Sequence, residues 1–301
     1  MADFTDPTRS SKHEFSRRTF SVLSGTATAF GGTIAAAFAQ ATAFGRPHPP
    51  IVAEDDPAIS VSRPNLTHGE RSLGAYAAAP RNQSGAPGVV AVQAIWGIDA
   101  QLRDTVRRFA KEGYFAIAPD LYAGLAAPSG DGATDFAPFR EVATKLVDAT
   151  VDADLAAAAA FVRGSVSPQG KVGVVGFCMG GAITLRQTVD DTGFAAASIF
   201  YGKVRYGTTD NAGPITPIAL AYADEIAVPL AGSWGARDTS IVADDVRALD
   251  MKLTTLKKRH DIKVYAEAGH AFFDDTRESY VGSAAADAWT RTLIWFGQHL
   301  K

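Results

Sequence analysis

From about Leu66 onward the chain alternates short, wholly apolar runs with longer stretches of helical period, and this alternation leaves few folds open. Val89-Val90-Ala91-Val92 has no polar position, as a strand covered on both faces requires. Residues 99–111 follow as an amphipathic helix with Leu102, Val106 and Phe109 on one face. Residues 114–118 are the next predicted strand, stopped by Pro119. A long helix is predicted over about 139–163, a strand over 171–177, a helix from Gly180, and strands over 195–201 and 228–234. Val246, Leu249, Leu253 and Leu256 are spaced as a core-facing helix requires, 262–266 is the last predicted strand, and Ala286, Trp289, Leu293 and Phe296 repeat the spacing on a closing helix. Strands alternating with helices imply an α/β fold: a mostly parallel central sheet with helices on both faces. In such sheets chemistry gathers at the carboxyl ends of the strands.

The remaining sequence sorts into a leader and a linker. Arg17-Arg18 precede an uncharged, Ala/Gly/Thr-rich stretch over residues 19–45, the pattern of a twin-arginine export signal. Ala37 and Ala39, and again Ala41 and Ala43, offer cleavage sites. The expected domains are a leader over 1–45, an extended linker over 46–65 and the folded domain over 66–301. The linker reading rests on Pro47, Pro49, Pro50, Pro57 and Pro64 with the acidic run Glu54-Asp55-Asp56. The expected address is periplasmic or secreted, with the twin-arginine export machinery as a partner and no membrane span once the signal is removed. At 301 residues the chain is long enough to bury a sizeable core. Its net charge of -3 offers no basic field for nucleic acid. One cysteine and scattered histidines argue against a metal site, no Gly-rich cluster has dinucleotide-binding context, and so no cofactor is expected.

The strand-end rule selects three residues. Gly176-Phe177-Cys178-Met179-Gly180-Gly181 directly follows a predicted strand and opens a helix, which is the nucleophile elbow with cysteine in the serine position. The helix N-terminus beneath the sulfur favours thiolate, and the Met179 amide points where an oxyanion would form. Asp238 follows the strand ending at Trp234, and His270 follows the last strand. The order nucleophile, acid, histidine is that of the α/β-hydrolase fold, with His270 as proton carrier and Asp238 fixing its tautomer. Of the other histidines, His13 falls in the leader, His48 in the linker, and His260 and His299 near helix C-termini. His68 has no predicted partner.

At these residues the chain resembles the dienelactone hydrolase (carboxymethylenebutenolidase) family. The resemblance covers roughly residues 66–300 and is carried by Gly170 to Gly181, by Ala118-Pro119-Asp120-Leu121-Tyr122, and by Glu267-Ala268-Gly269-His270-Ala271-Phe272. It implies hydrolysis of a small ester or lactone through a thioester on Cys178, and a second oxyanion amide on Ile95. Two departures stand out. The family's glutamate in the segment Gln93 to Gly97 is replaced by Ala94, so Cys178 is expected to pair with His270 by default. The family's arginine four residues after the histidine is replaced by Asp274, which argues against dienelactone itself; Arg140 and Arg277 are the nearest basic candidates. Trp96, Tyr122, Tyr201 and Phe272 are expected at the pocket wall, with Phe273 bordering it. Two other readings stay open: an exported hydrolase-fold binding protein with little or no catalysis, and a peroxide-sensitive thiol protein.

Overall fold

The apolar runs pair into one sheet whose order places the three candidate residues side by side. The computed structural model describes residues 48–82, 85–166, 170–189, 192–204 and 222–301; the expected leader lies outside them. The strands are β1 (Ile59–Ser62), β2 (Asn65–His68), β3 (Arg71–Pro80), β4 (Gly88–Val92), β5 (Phe115–Pro119), β6 (Val172–Phe177), β7 (Ala196–Phe200), β8 (Leu230–Gly235) and β9 (His260–Tyr265). The helices are α1 (Ala100–Lys111), α2 (Ala137–Ala143), α3 (Asp148–Val166), α4 (Met179–Arg186), α5 (Ala243–Thr255) and α6 (Gly282–Leu300). The strand order is β1-β3-β5-β4-β6-β7-β8-β9, with β2 paired to β3. β3 is antiparallel to β5, and every neighbouring pair from β5 to β9 is parallel.

β4, β5 and β6 are buried at every position, which accounts for their unbroken apolar sequences. The two faces are covered by different helices. Gly88 abuts Val162 of α3, whereas Gly173, one residue out of register and therefore facing the other way, abuts Phe296 of α6. On that second face Phe109 of α1 packs against Trp289 of α6 with ring centroids 4.5 Å apart. From β4 the chain goes through α1 to β5 on one side, then through α3 to β6 on the other side of β4. This reversal opens a crevice beyond the carboxyl ends of β4 and β6, where an α/β sheet binds its ligand.

Three expectations change. The segment read as an extended linker is part of the fold: β1 pairs antiparallel with β3, and Val52 is buried. The Ile51 and Val52 amides donate to the two carboxylate oxygens of Asp104 at 3.0 and 2.9 Å, and Arg107 Nε donates to the Val52 carbonyl at 2.6 Å. The long helix expected over 139–163 is two helices, separated by turns in which Lys145 and Leu146 donate to Val142 and Ala143. That break turns Leu146 into the core. Leu256, expected on the core face, caps the C-terminus of α5 and is 37% exposed. Among the described residues no helix is long and apolar enough to cross a membrane.

Candidate active site

Cys178 is the residue between β6 and α4, and its backbone lies at φ 56°, ψ -113°. A non-glycine residue held at positive φ carries about 1–3 kcal/mol of strain, which the surrounding structure must over-determine. Here the glycines on either side do so. A side chain on Gly176 would collide with the Gly180 carbonyl, and one on Gly180 would collide with the carbonyls of Val92 and Gln93. The elbow's glycine spacing therefore presses α4 against the ends of β4 and β6 and leaves Cys178 at the tip.

His270 comes from the loop after β9 and Asp238 from the turn after β8. His270 Nε2 lies 3.1 Å from Cys178 Sγ, and His270 Nδ1 lies 2.7 Å from Asp238 Oδ2. The other carboxylate oxygen of Asp238 accepts the Ser240 amide at 2.8 Å, the Ser240 hydroxyl at 2.7 Å and the Ile241 amide at 3.0 Å. The sequence thus brings together residues from three strand ends in one hydrogen-bonded line.

The electrostatics of that line are those of an ion pair. Burial raises the Cys178 thiol pKa, but the His270 charge, its hydrogen bond and the Met179 amide outweigh this and lower it. Burial opposes charge on His270 as well, yet the Cys178 sulfur and the Asp238 carboxylate carry the imidazole up to about 10. Burial also raises Asp238, which its bonds from His270 and Ser240 hold below the usual carboxylate value. All three shifts favour thiolate beside imidazolium, the default pairing expected from Ala94.

The sulfur opens into a cavity of about 620 Å³ lined by Ile95, Trp96, Asp99, Phe136, Tyr201 and Arg277, among others. Ile95 lines the same cavity as the sulfur, and the Met179 amide bonds toward the sulfur. Trp96 and Tyr201 line the wall as expected. Tyr201 is itself at φ 40° and packs its ring 5.3 Å from that of His270. Tyr122 and Phe272 do not line it. Tyr122 is buried behind the wall and donates its hydroxyl to the Ile95 carbonyl at 2.9 Å, so it braces the segment that carries Ile95. Phe272 is fully buried between Tyr201 and Tyr265, because the chain turns inward two residues after His270; Phe273 likewise packs on Phe177 and Phe200.

Sequence reasoning missed Asp99, Phe136 and the settled place of Arg277. Arg277 lies with its guanidinium 3.9 Å over the Trp96 ring, while Arg140 is exposed and lies off the cavity. Gly130, whose missing side chain leaves room for the Trp96 carbonyl, was the available signal that the 124–136 loop closes on Trp96. His68 has a structural partner after all: its Nε2 lies 2.6 Å from Asp154, which Arg71 also grips with two nitrogens.

A mostly parallel sheet with this crossover, a strained strand-to-helix turn at Cys178, and an aspartate and a histidine after later strands define an α/β-hydrolase fold. The description "Dienelactone hydrolase family" matches residues 73–300, and the chain belongs to that family. It is 34% identical over 256 residues to a Salmonella typhimurium protein named "Putative carboxymethylenebutenolidase", covering 83% of this chain and 92% of that one. The crystal structure of a "Putative Dienelactone Hydrolase" from Klebsiella pneumoniae superimposes with a TM-score of 0.73 at 34% identity, covering 80% of this chain and 100% of that chain. A Bradyrhizobium protein named "Probable 2-oxo-3-(5-oxofuran-2-ylidene)propanoate lactonase" is 28% identical over 78% of this chain and 92% of its own length. The protein is accordingly a hydrolase of the dienelactone hydrolase type.

Proposed function

We propose that the protein hydrolyses small carboxylic esters or lactones through a thioester formed on Cys178. The observation that carries this reading is the 3.1 Å approach of His270 Nε2 to Cys178 Sγ with Asp238 2.7 Å behind the ring. The thiolate attacks the substrate carbonyl carbon, and the carbonyl π pair moves onto oxygen, where the Ile95 and Met179 amides receive it. The oxyanion then collapses, the C–O bond to the leaving group breaks, and imidazolium Nε2–H protonates the departing alkoxide. In a lactone that alkoxide stays attached to the acyl group. His270, now neutral, takes a proton from water as the water oxygen attacks the thioester. The second oxyanion collapses, thiolate departs, and the carboxylic acid product leaves the resting ion pair restored. Asp238 holds the ring's orientation throughout and stabilises its charged form.

The lactonase name carried by the Bradyrhizobium relative supports ring-opening of a lactone as part of the range. Cys178→Ala should lower p-nitrophenyl acetate turnover by about four orders of magnitude while the far-ultraviolet circular dichroism stays unchanged. Full activity in that variant would overturn the reading.

The paired Arg17-Arg18 ahead of an uncharged stretch support a second part of the proposal: twin-arginine export to the periplasm or beyond. Replacing both by lysine should hold the chain in the cytoplasmic fraction. Unaltered export of that variant would contradict it.

A further inference from the structure

The polar end of the cavity is charged in an unusual way for a site that would receive an anion. Asp99, Asp131, Asp274 and Glu278 line it, with Arg277 as the basic side chain among them. Arg277 is already committed. Its Nε donates to Asp274 Oδ2 at 3.0 Å, its Nη1 donates to the Ala133 carbonyl at 2.6 Å, and its face lies on Trp96. Asp274 is saturated too, since its second oxygen accepts the amide and hydroxyl of Thr276 at 3.1 and 2.6 Å. Asp131 holds Arg103 at 2.7 Å.

Asp99 is different. It is only 5% exposed and caps α1, with Oδ1 accepting the Leu102 amide at 3.0 Å. Oδ2 has no hydrogen bond among the described residues and forms an ion pair with Arg277 Nη2 at 3.9 Å. Oδ2 is not sealed inside the protein but opens on the cavity, so a carboxylate oxygen with no protein hydrogen-bond donor stands there for a ligand's donor to meet. Ile95, Trp96, Phe136 and Tyr201 give the cavity its apolar and aromatic wall, beside the polar Gln101, Thr134, Thr276 and Ser279.

We propose that Asp99 is a specificity-determining residue: its Oδ2 accepts a hydrogen bond from a hydroxyl group on an uncharged ester or lactone, and the same acidic wall rejects substrates that carry a carboxylate. The inference rests on the hydrolase reading above and narrows it to a substrate class. Arg277 in this account is a wall builder that holds Trp96 flat, rather than a hook for anions.

Burial raises Asp99 to about 7, so the test is run at about pH 8.5, where the carboxylate is ionised: competition against p-nitrophenyl acetate hydrolysis by the full chain, using three lactones of similar size, γ-butyrolactone, α-hydroxy-γ-butyrolactone and paraconate, which carries a ring carboxylate. Competition reads affinity whether a lactone is turned over or only bound. The wild type should bind the hydroxylated lactone about tenfold more tightly than γ-butyrolactone, and paraconate about tenfold more weakly. Asp99→Ser keeps a residue able to cap α1 but is too short to span the site. It should bring the hydroxylated-to-plain ratio to about one. Asp99→Asn keeps the cap and removes the charge, and should relieve the paraconate penalty several-fold. A fold defect would move all three constants together and leave the ratios in place. Ratios unchanged in both variants, wild-type preference for paraconate, or no competition by any of the three overturns the inference while the hydrolase reading stands. Loss of p-nitrophenyl acetate turnover in the wild type itself would overturn that reading, and this inference with it.

Discussion

His270 and Asp275 sit on one loop, yet they belong to two charge clusters of opposite construction. In the first, Arg108 of α1 bridges Asp104 and Asp275, and Asp104 also takes the Ile51 and Val52 amides. The opposing carboxylates hold the Arg108 guanidinium charged against its burial. In the second cluster, Asp238 is saturated in the same way, but the charge chain ends on a sulfur that opens into the cavity. Burial and pairing alone therefore do not mark function. One cluster closes its charges on protein groups and ties residues 48–52 to the loop that carries His270, while the other leaves its terminal atom open to the cavity.

The comparison breaks if the two clusters respond alike to losing a member. Asp238→Asn removes the ring's orienting carboxylate from the open cluster. It should cut kcat by about three to four orders of magnitude, measured on p-nitrophenyl acetate, with a much smaller effect on urea unfolding. Arg108→Ala leaves two buried carboxylates facing each other in the closed cluster. It should cost about 3–5 kcal/mol of stability by urea titration, with KM of the folded fraction close to wild type. A smaller effect separates wall from core: Phe272→Leu should cost about 1–2 kcal/mol and leave KM nearly unchanged, because the ring packs on Tyr201 and Tyr265 and does not meet the cavity.

The open cluster should also shape stability against pH. His270 is raised from 6.5 to about 10, so its contribution is fully present below 6.5 and lost as pH rises through about 10. Cys178 is lowered from 9.0, so its contribution is present above 9.0 and lost as pH falls through the lowered value. The two share one proton in the folded state. Below 6.5 the unfolded chain binds more protons than the pair, and above 9.0 it binds fewer. The stability of wild type relative to Cys178→Ser should therefore plateau between those values and decline on either side, as read from denaturant midpoints across pH.

Much of this was legible because it is local. β4, β5 and β6 announce themselves as unbroken apolar runs, and the elbow glycines are set by contacts within the same turn and the adjoining strand end. Order along the chain was enough to pair Cys178 with Asp238 and His270, since each follows its own strand. What escaped depends on distant partners. Residues 48–62 read as linker because prolines and acids dominate them, and only Asp104 and Arg107 on α1, together with β3, show what they dock against. Phe272 was placed at the wall by its nearness to His270 in sequence, but the direction of a side chain after a loop is a tertiary fact. The same holds for Asp99, whose sequence signal is that of a helix cap and nothing more.

The proposed chemistry turns on the charge state of one sulfur, and the rate of Cys178 alkylation by iodoacetamide as a function of pH reads that state directly. The thiolate should titrate with a midpoint well below the ordinary value of about 8.5, and in His270→Asn the midpoint should return toward it. A wild-type midpoint near the ordinary value, unmoved by loss of the imidazole, would contradict the ion pair and the chemistry built on it.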